Sequence, residues 1–96
     1  MHRYGRQIPL RFPQKRLATY DFGKSVYEKQ IKPYMTSNYV SYILFPSGVD
    51  AISISFVKGM MEEIIEEYGI DYVTESMVFS GLQTHLVTKI RNAIEY

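Results

Sequence analysis

Along residues 5–12, GRQIPLRF, the apolar side chains Ile8, Leu10 and Phe12 alternate with Gln7, Pro9 and Arg11. A period of two belongs to a strand with one covered face. Pro9 has no N–H to give to a ladder, which predicts an edge strand. The connection 13–20 has room for a second short extended piece at 17–20. From Asp21 the period changes. Asp21 reads as the N-cap of a helix beginning near Phe22. Phe22, Val26, Gln30 and Tyr34 fall close together on its wheel, and Tyr27 and Ile31 widen the face. Pro33 disfavours helical geometry at Lys32, which predicts the end of regular helix there. Residues 36–38, TSN, read as a turn.

YVSYILF (39–45) is almost wholly apolar, as a strand covered on both faces is, and predicts a central parallel strand. The turn Pro46-Ser47-Gly48 follows, and then a helix over about 55–68. Phe56, Val57, Met60, Met61, Ile64, Ile65 and Tyr68 take one half of its wheel. Glu62, Glu63, Glu66 and Glu67 lie on or at the edge of the other half, and Gly69 is a natural stop. Residues 70–79 read as a further strand, with Ile70, Tyr72 and Met77 to Phe79 as its apolar parts. After Ser80-Gly81, a last helix places Leu82, Leu86, Val87, Ile90, Ala93 and Ile94 on one arc. Strand and helix alternate three times. That order predicts a single α/β domain over 1–96: a small sheet of about four strands, mixed or mostly parallel, with about three helices packed on it.

Composition adds limits. Hydrophobic residues make up 46% and charged residues 22%, ordinary for a globular chain. No run of apolar residues is long enough for a membrane span, and no apolar stretch follows the basic N-terminus as in a signal peptide. The chain has no cysteine, so disulfides and thiolate metal sites are excluded and a cytoplasmic setting is expected. The net charge of +1 conceals a division: residues 1–35 hold eight Lys/Arg against Asp21 and Glu28 (+6), residues 36–96 three against eight (−5). Such a division steers a charged partner or docks two copies head to tail. The simpler expectation is that the opposite charges face each other across one small fold.

YILFPSGVDAISISFVKGMMEEI followed by VFSGLQTHLVTKIRNAI resembles the STAS-like domain family, small bacterial domains related to STAS anti-sigma-factor antagonists. Gly48-Val49 matches the family's turn, Ser55-Phe56 its helix start and Phe79 to Ile94 its ending. Phe45 stands where an aspartate is frequent. The resemblance covers about 17–94, with 1–16 an N-terminal edge strand and basic segment. It implies a non-catalytic protein-interaction and regulatory domain that binds a protein partner through the loop 46–54 and the start of the 55–68 helix. A histidine-kinase-type ATPase or an anti-sigma-like regulator is the partner it suggests. In the antagonists, an Asp-Ser-Ser/Thr-Gly motif opens this helix, and the serine after the aspartate is phosphorylated. Alignment places Ser53 at the aspartate, Ile54 at the phospho-acceptor, Ser55 at the second hydroxyl and Phe56 at the glycine.

The candidate partner-binding residues are therefore Gly48, Asp50, Ser53, Ser55, Phe56 and Lys58. Ser53 or Ser55 caps the helix, a contribution of about 1 kcal/mol, and a phosphate would also sit favourably at that helix end. Capping is the expected role; a phosphoserine switch is the sharper one. Helical spacing spreads the glutamates over a solvated face, and His2 and His85 have no ligand-spaced partners. No GxGxxG, phosphate loop, HExxH or GxSxG occurs. No catalytic residue, metal or cofactor is expected. The alternative is a small nucleic-acid-binding module of Arg3, Tyr4, Arg6, Arg11, Lys15 and Arg16, whose cations interleave with the rings of Tyr4 and Phe12, as in single-strand binders. The near-neutral total makes it the lesser expectation. An edge strand also leaves room for pairing with a second copy, a homodimer.

Overall fold

The computed structural model describes residues 5–95; Arg3, Tyr4 and His2 lie outside the described residues. Strand β1 (Gly5–Pro9) pairs in parallel with β3 (Val40–Leu44), from Gly5 opposite Val40 to Pro9 opposite Leu44. β3 pairs in parallel with β5 (Met77–Ser80), from Ser41 opposite Met77 to Leu44 opposite Ser80. The order is β1-β3-β5. β3 is central and the proline-bearing strand is an edge, as the pattern predicts. A second, two-stranded parallel sheet joins β2 (Arg16–Leu17) to β4 (Ala51–Ile52). The short extended piece thus lies one residue earlier than expected, and Tyr20 already belongs to a helix.

Among the described residues four α-helices complete the α/β fold: α1 (Tyr20–Val26), α2 (Ile54–Tyr68), α3 (Ile70–Ser76) and α4 (Thr84–Glu95). From β1 to β3 to β5 the chain steps across the sheet in one direction. Crossovers of one hand then put their helices on the same face. Ile8, Ser41, Ile43, Met77 and Phe79 are accordingly buried beneath helices that supply Val26, Tyr27, Phe56, Met60, Ile64 and Ile90. The opposite side chains of the strands, Gln7, Tyr42 and Val78, are exposed.

The cap of α1 is Thr19, whose hydroxyl accepts from the Phe22 N–H at 3.1 Å; Asp21, expected in that role, sits in the first turn. Beyond Val26 the helix widens into a π turn (Tyr27–Ile31), with the Lys32 N–H bonded to the Tyr27 carbonyl, and then a 3₁₀ turn (Lys32–Tyr34). Lys32 keeps helical angles in spite of Pro33. The wide turn also rotates the predicted face. Tyr27 and Ile31 stay buried, whereas Tyr34, placed with them on a regular wheel, is 51% exposed.

The largest departure is at 70–76, helical rather than extended. Gly69, at φ 89°, ends α2 and turns the chain directly into α3. Val73 and Ser76, three apart, are then buried together. The Tyr72 ring packs 5.1 Å from that of Tyr68. Its hydroxyl lies 3.1 Å from Ser41 Oγ and from the carbonyls of Thr36 and Tyr39, fastening the turn before β3.

α1 and α2 cross at two glycines. A Cβ on Gly23 would stand 2.2 Å from the Phe56 carbonyl oxygen, and one on Gly59 2.1 Å from that of Tyr20. Each helix lays its backbone against the other's because neither has a side chain there. Across this crossing Lys24 and Lys32 come within 3.8 and 3.9 Å of Glu63. At α1 and α2, the basic and acidic parts of the chain thus do face each other.

Candidate functional site

The loop after β3 is tied down by β2. Asp50 N–H and Ser53 N–H each donate at 2.8 Å, to the carbonyls of Lys15 and Leu17. Gly48 adopts φ 92° at its exposed tip, a conformation that favours glycine. Asp50 is exposed and stands 3.9 Å from Arg16.

α2 begins one residue before Ser55, so the capping serine is Ser53. Its Oγ accepts from the Phe56 N–H at 3.0 Å and donates to the Ala18 carbonyl at 2.6 Å. One hydroxyl thereby closes the helix end and binds it to the chain leaving β2. Ser55 sits in the first turn, exposed. Phe56 is fully buried, its ring 5.7 Å from that of Phe22, and supports the surface from below. Ile54, the first residue of α2, points outward and is 53% exposed. A large aliphatic side chain thus occupies the surface at the head of a helix whose N–H groups and dipole make that end positive.

From Ile54 a groove runs along α2 beside α4. Its first part, about 540 Å³, is lined by Ile54, Lys58, His85, Lys89 and Asn92. A second part of about 320 Å³ continues past Lys58 over Val57, Met61, Ile65 and Ala93. Glu62 and Glu66 border that end, where the Tyr20 hydroxyl donates to Glu62, a bond that raises the tyrosine pKa. The groove is therefore apolar along its floor, cationic at the Ile54 end and acidic at the other. Gly48, Asp50, Ser53, Ser55 and Lys58 gather on the loop and the first turns of α2, with Phe56 beneath.

The basic N-terminal residues are divided. The Gln30 side chain clamps the Arg11 backbone, accepting from its N–H at 2.6 Å and donating to its carbonyl at 2.9 Å. A groove of about 430 Å³ there carries Arg11, Lys29 and Tyr34. Lys15 and Arg16 instead flank the 46–50 loop, and Arg6 is exposed on β1.

One residue had no signal in the sequence. Arg91 of α4 donates to the carbonyls of Val73, at 3.0 Å, and Met77, while its guanidinium lies 4.9 Å over the Phe79 ring. It closes the C-terminal end of α3, a helix that periodicity did not announce. Burial lowers its pKa, opposed by nearby Glu95.

Among the described residues no three His, Cys, Asp or Glu side chains meet as a metal site, and no helix is long and apolar enough to cross a membrane. Comparison with protein-family models, curated proteins and solved structures finds no match for this chain.

Proposed function

We propose that this chain is a non-catalytic cytoplasmic docking domain that binds a protein partner through the loop 46–54 and the start of α2, the role that its resemblance to the STAS-like family implies. The observation that carries the reading is Ile54, more than half exposed at the head of a groove with Lys58, His85 and Lys89 around it. Aliphatic surface rimmed by the Lys58 and Lys89 ammonium groups suits a protein segment that brings an apolar anchor and carboxylates. The candidate partner is a histidine-kinase-type ATPase or an anti-sigma-like regulator. Ile54 aligns with the phospho-acceptor of the antagonists, so contact here is constitutive. Ser53, its hydroxyl engaged on both sides, caps rather than switches.

The test is a photo-crosslinking residue placed at Ile54, and separately at Tyr34, in the source cells. The expected result is one discrete protein adduct from position 54, absent from position 34 and lost on adding Lys58→Glu and Lys89→Glu. Adducts of equal yield from both positions would sink the reading. Nucleic-acid adducts from position 34 that disappear in moderate salt would favour the basic N-terminal segment instead, because phosphate contacts are steeply salt-dependent.

A further inference from the structure

The groove beside α2 lies between two helices, α2 and α4, and its two parts share Lys58 and Ala93. From Ile54 to Glu66 it follows about three turns of α2, roughly 18 Å at ~1.5 Å per residue. Ile54 stands out at one end, and Ile65 and Ala93 are half-buried along it. Its charges are ordered: Lys58 and Lys89 toward Ile54, Glu62 and Glu66 at the other end. Among the described residues Lys58, Lys89 and Glu66 take part in no ion pair, unlike Lys24, Lys32 and Glu63 at the α1–α2 crossing. Glu62, one turn beyond Lys58, is held by the Tyr20 hydroxyl instead. The charges along the groove are therefore open to an outside partner.

Resting on the docking reading, we infer that the partner segment this groove receives is an amphipathic helix of about three turns. It carries carboxylates where it passes Lys58 and Lys89, and Lys or Arg where it passes Glu66. The backbone decides for a helix. Both walls are helices, with their N–H and C=O groups bonded internally, so no strand edge is offered to an extended segment. Such a segment, pressed on the floor, would leave its own main-chain groups without partners. A helix brings those bonds with it, and its i, i+4 and i+7 side chains form a ridge that seats between two helices. That ridge meets Ile54 at one end, Ala93 between and Ile65 at the other. Charge then selects among helices. Each exposed pair contributes at most about fivefold in affinity, so a helix of one sign gains at one end of the groove and loses at the other.

Four fluorescein-labelled peptides test it. Three are side-chain-stapled helices with one leucine stripe: acidic in the first half and basic in the second, acidic throughout, and basic throughout. The fourth has the first composition with prolines that forbid a helix. Fluorescence polarisation with the full chain between about 1 and 500 µM should favour the two-signed helix by at least about threefold over either single-signed one, with the proline peptide weakest. Lys58→Glu with Lys89→Glu should turn the preference to the basic helix, and Glu66→Lys should move it toward the acidic one. Loss of the fold does not produce such exchanges. No binding by any helix, or equal binding by all three, overturns the inference. So does a proline peptide that binds as well as the two-signed helix, which places an extended segment in the groove. A chain that dimerises over this range in sedimentation velocity, and loses the dimer with Lys58→Glu and Lys89→Glu, seats a second copy there and overturns it too. The two readings fail separately. Indifferent peptides beside a discrete adduct at position 54 overturn the helix and leave docking, whereas the expected peptide preferences without that adduct overturn docking and leave the helix.

Discussion

Replacing Gly23 by alanine sets two known tendencies against each other at one atom. In an exposed helix the change would stabilise by about 0.5–1 kcal/mol, through helix propensity and a less flexible unfolded chain. At the α1–α2 crossing the new Cβ would stand 2.2 Å from the Phe56 carbonyl oxygen and 2.9 Å from the Met60 nitrogen. Ordinary contact begins at 3.4 Å, so α1 must retreat by about 1 Å. No rotamer relieves this, because the opposing atoms are backbone. A gap of about 1 Å forfeits up to half of each dispersion contact along the crossing, where Phe22, Val26 and Tyr27 meet α2. Such overpacking costs about 1–3 kcal/mol, and more when backbone is the obstacle. The cost wins, and a net loss of about 2 kcal/mol is expected, a fall in Tm of about 8–16 °C for a domain of this size. Gly59→Ala meets the Tyr20 carbonyl at 2.1 Å and should cost as much. Both substitutions open the same crossing, so the double variant should lose less than the sum. Urea and thermal unfolding followed by circular dichroism measure all three, with Thr88→Ala on the exposed face of α4 as a control expected within about 0.5 kcal/mol of wild type. A Gly23→Ala protein as stable as the wild type, or strict additivity in the double variant, would refute the crossing.

Three further outcomes are expected. Ser53→Ala should lower stability by about 1–2 kcal/mol, because it orphans a helix N–H and the Ala18 carbonyl, whereas Ser55→Ala should stay within about 0.5 kcal/mol; equal effects in urea unfolding would contradict the cap assignment. Arg91→Met should cost about 2–3 kcal/mol by stripping charged donors from the Val73 and Met77 carbonyls. Hydrogen exchange should quicken in α3 before α2, and uniform quickening would argue against a local cap. Burial, with Glu63 and Glu67 adding to it, pushes the Tyr27 pKa up to about 12 in the folded chain, against about 10 unfolded. The neutral phenol is therefore the folded form. Its contribution is complete below pH about 10 and is lost as pH rises through about 12. Tyr27→Phe should flatten that alkaline loss of stability, and an unchanged profile would refute it.

The surface proposed for docking was legible in part. Apolar spacing located α2, and hydroxyl chemistry narrowed its start to Ser53 or Ser55. The choice between them came from the Ala18 carbonyl, brought to Ser53 by the connection after β2. Phe56 was placed at the correct helix start, yet its side chain is core. Ile54 drew notice only as a missing hydroxyl, since exposure of an aliphatic residue is a property of the folded surface.

Local periodicity was enough for β1, β3, α2 and α4, and for β3 at the centre with Pro9 at the edge. Each of these segments buries a face set by its own repeat, so a short window of sequence holds the information. The stretch 70–76 carries two repeats at once. Ile70 and Tyr72 alternate as in a strand, while Val73 and Ser76 fit a helix. Tertiary contacts broke the tie: Tyr72 reaches the 36 and 39 carbonyls, and Arg91 closes the last turn. The pairing of Gly23 with Gly59 and the π turn that exposes Tyr34 also belong to the assembled fold. Each depends on which distant backbone lies opposite, and that is decided only when strand order and helix crossing are set together.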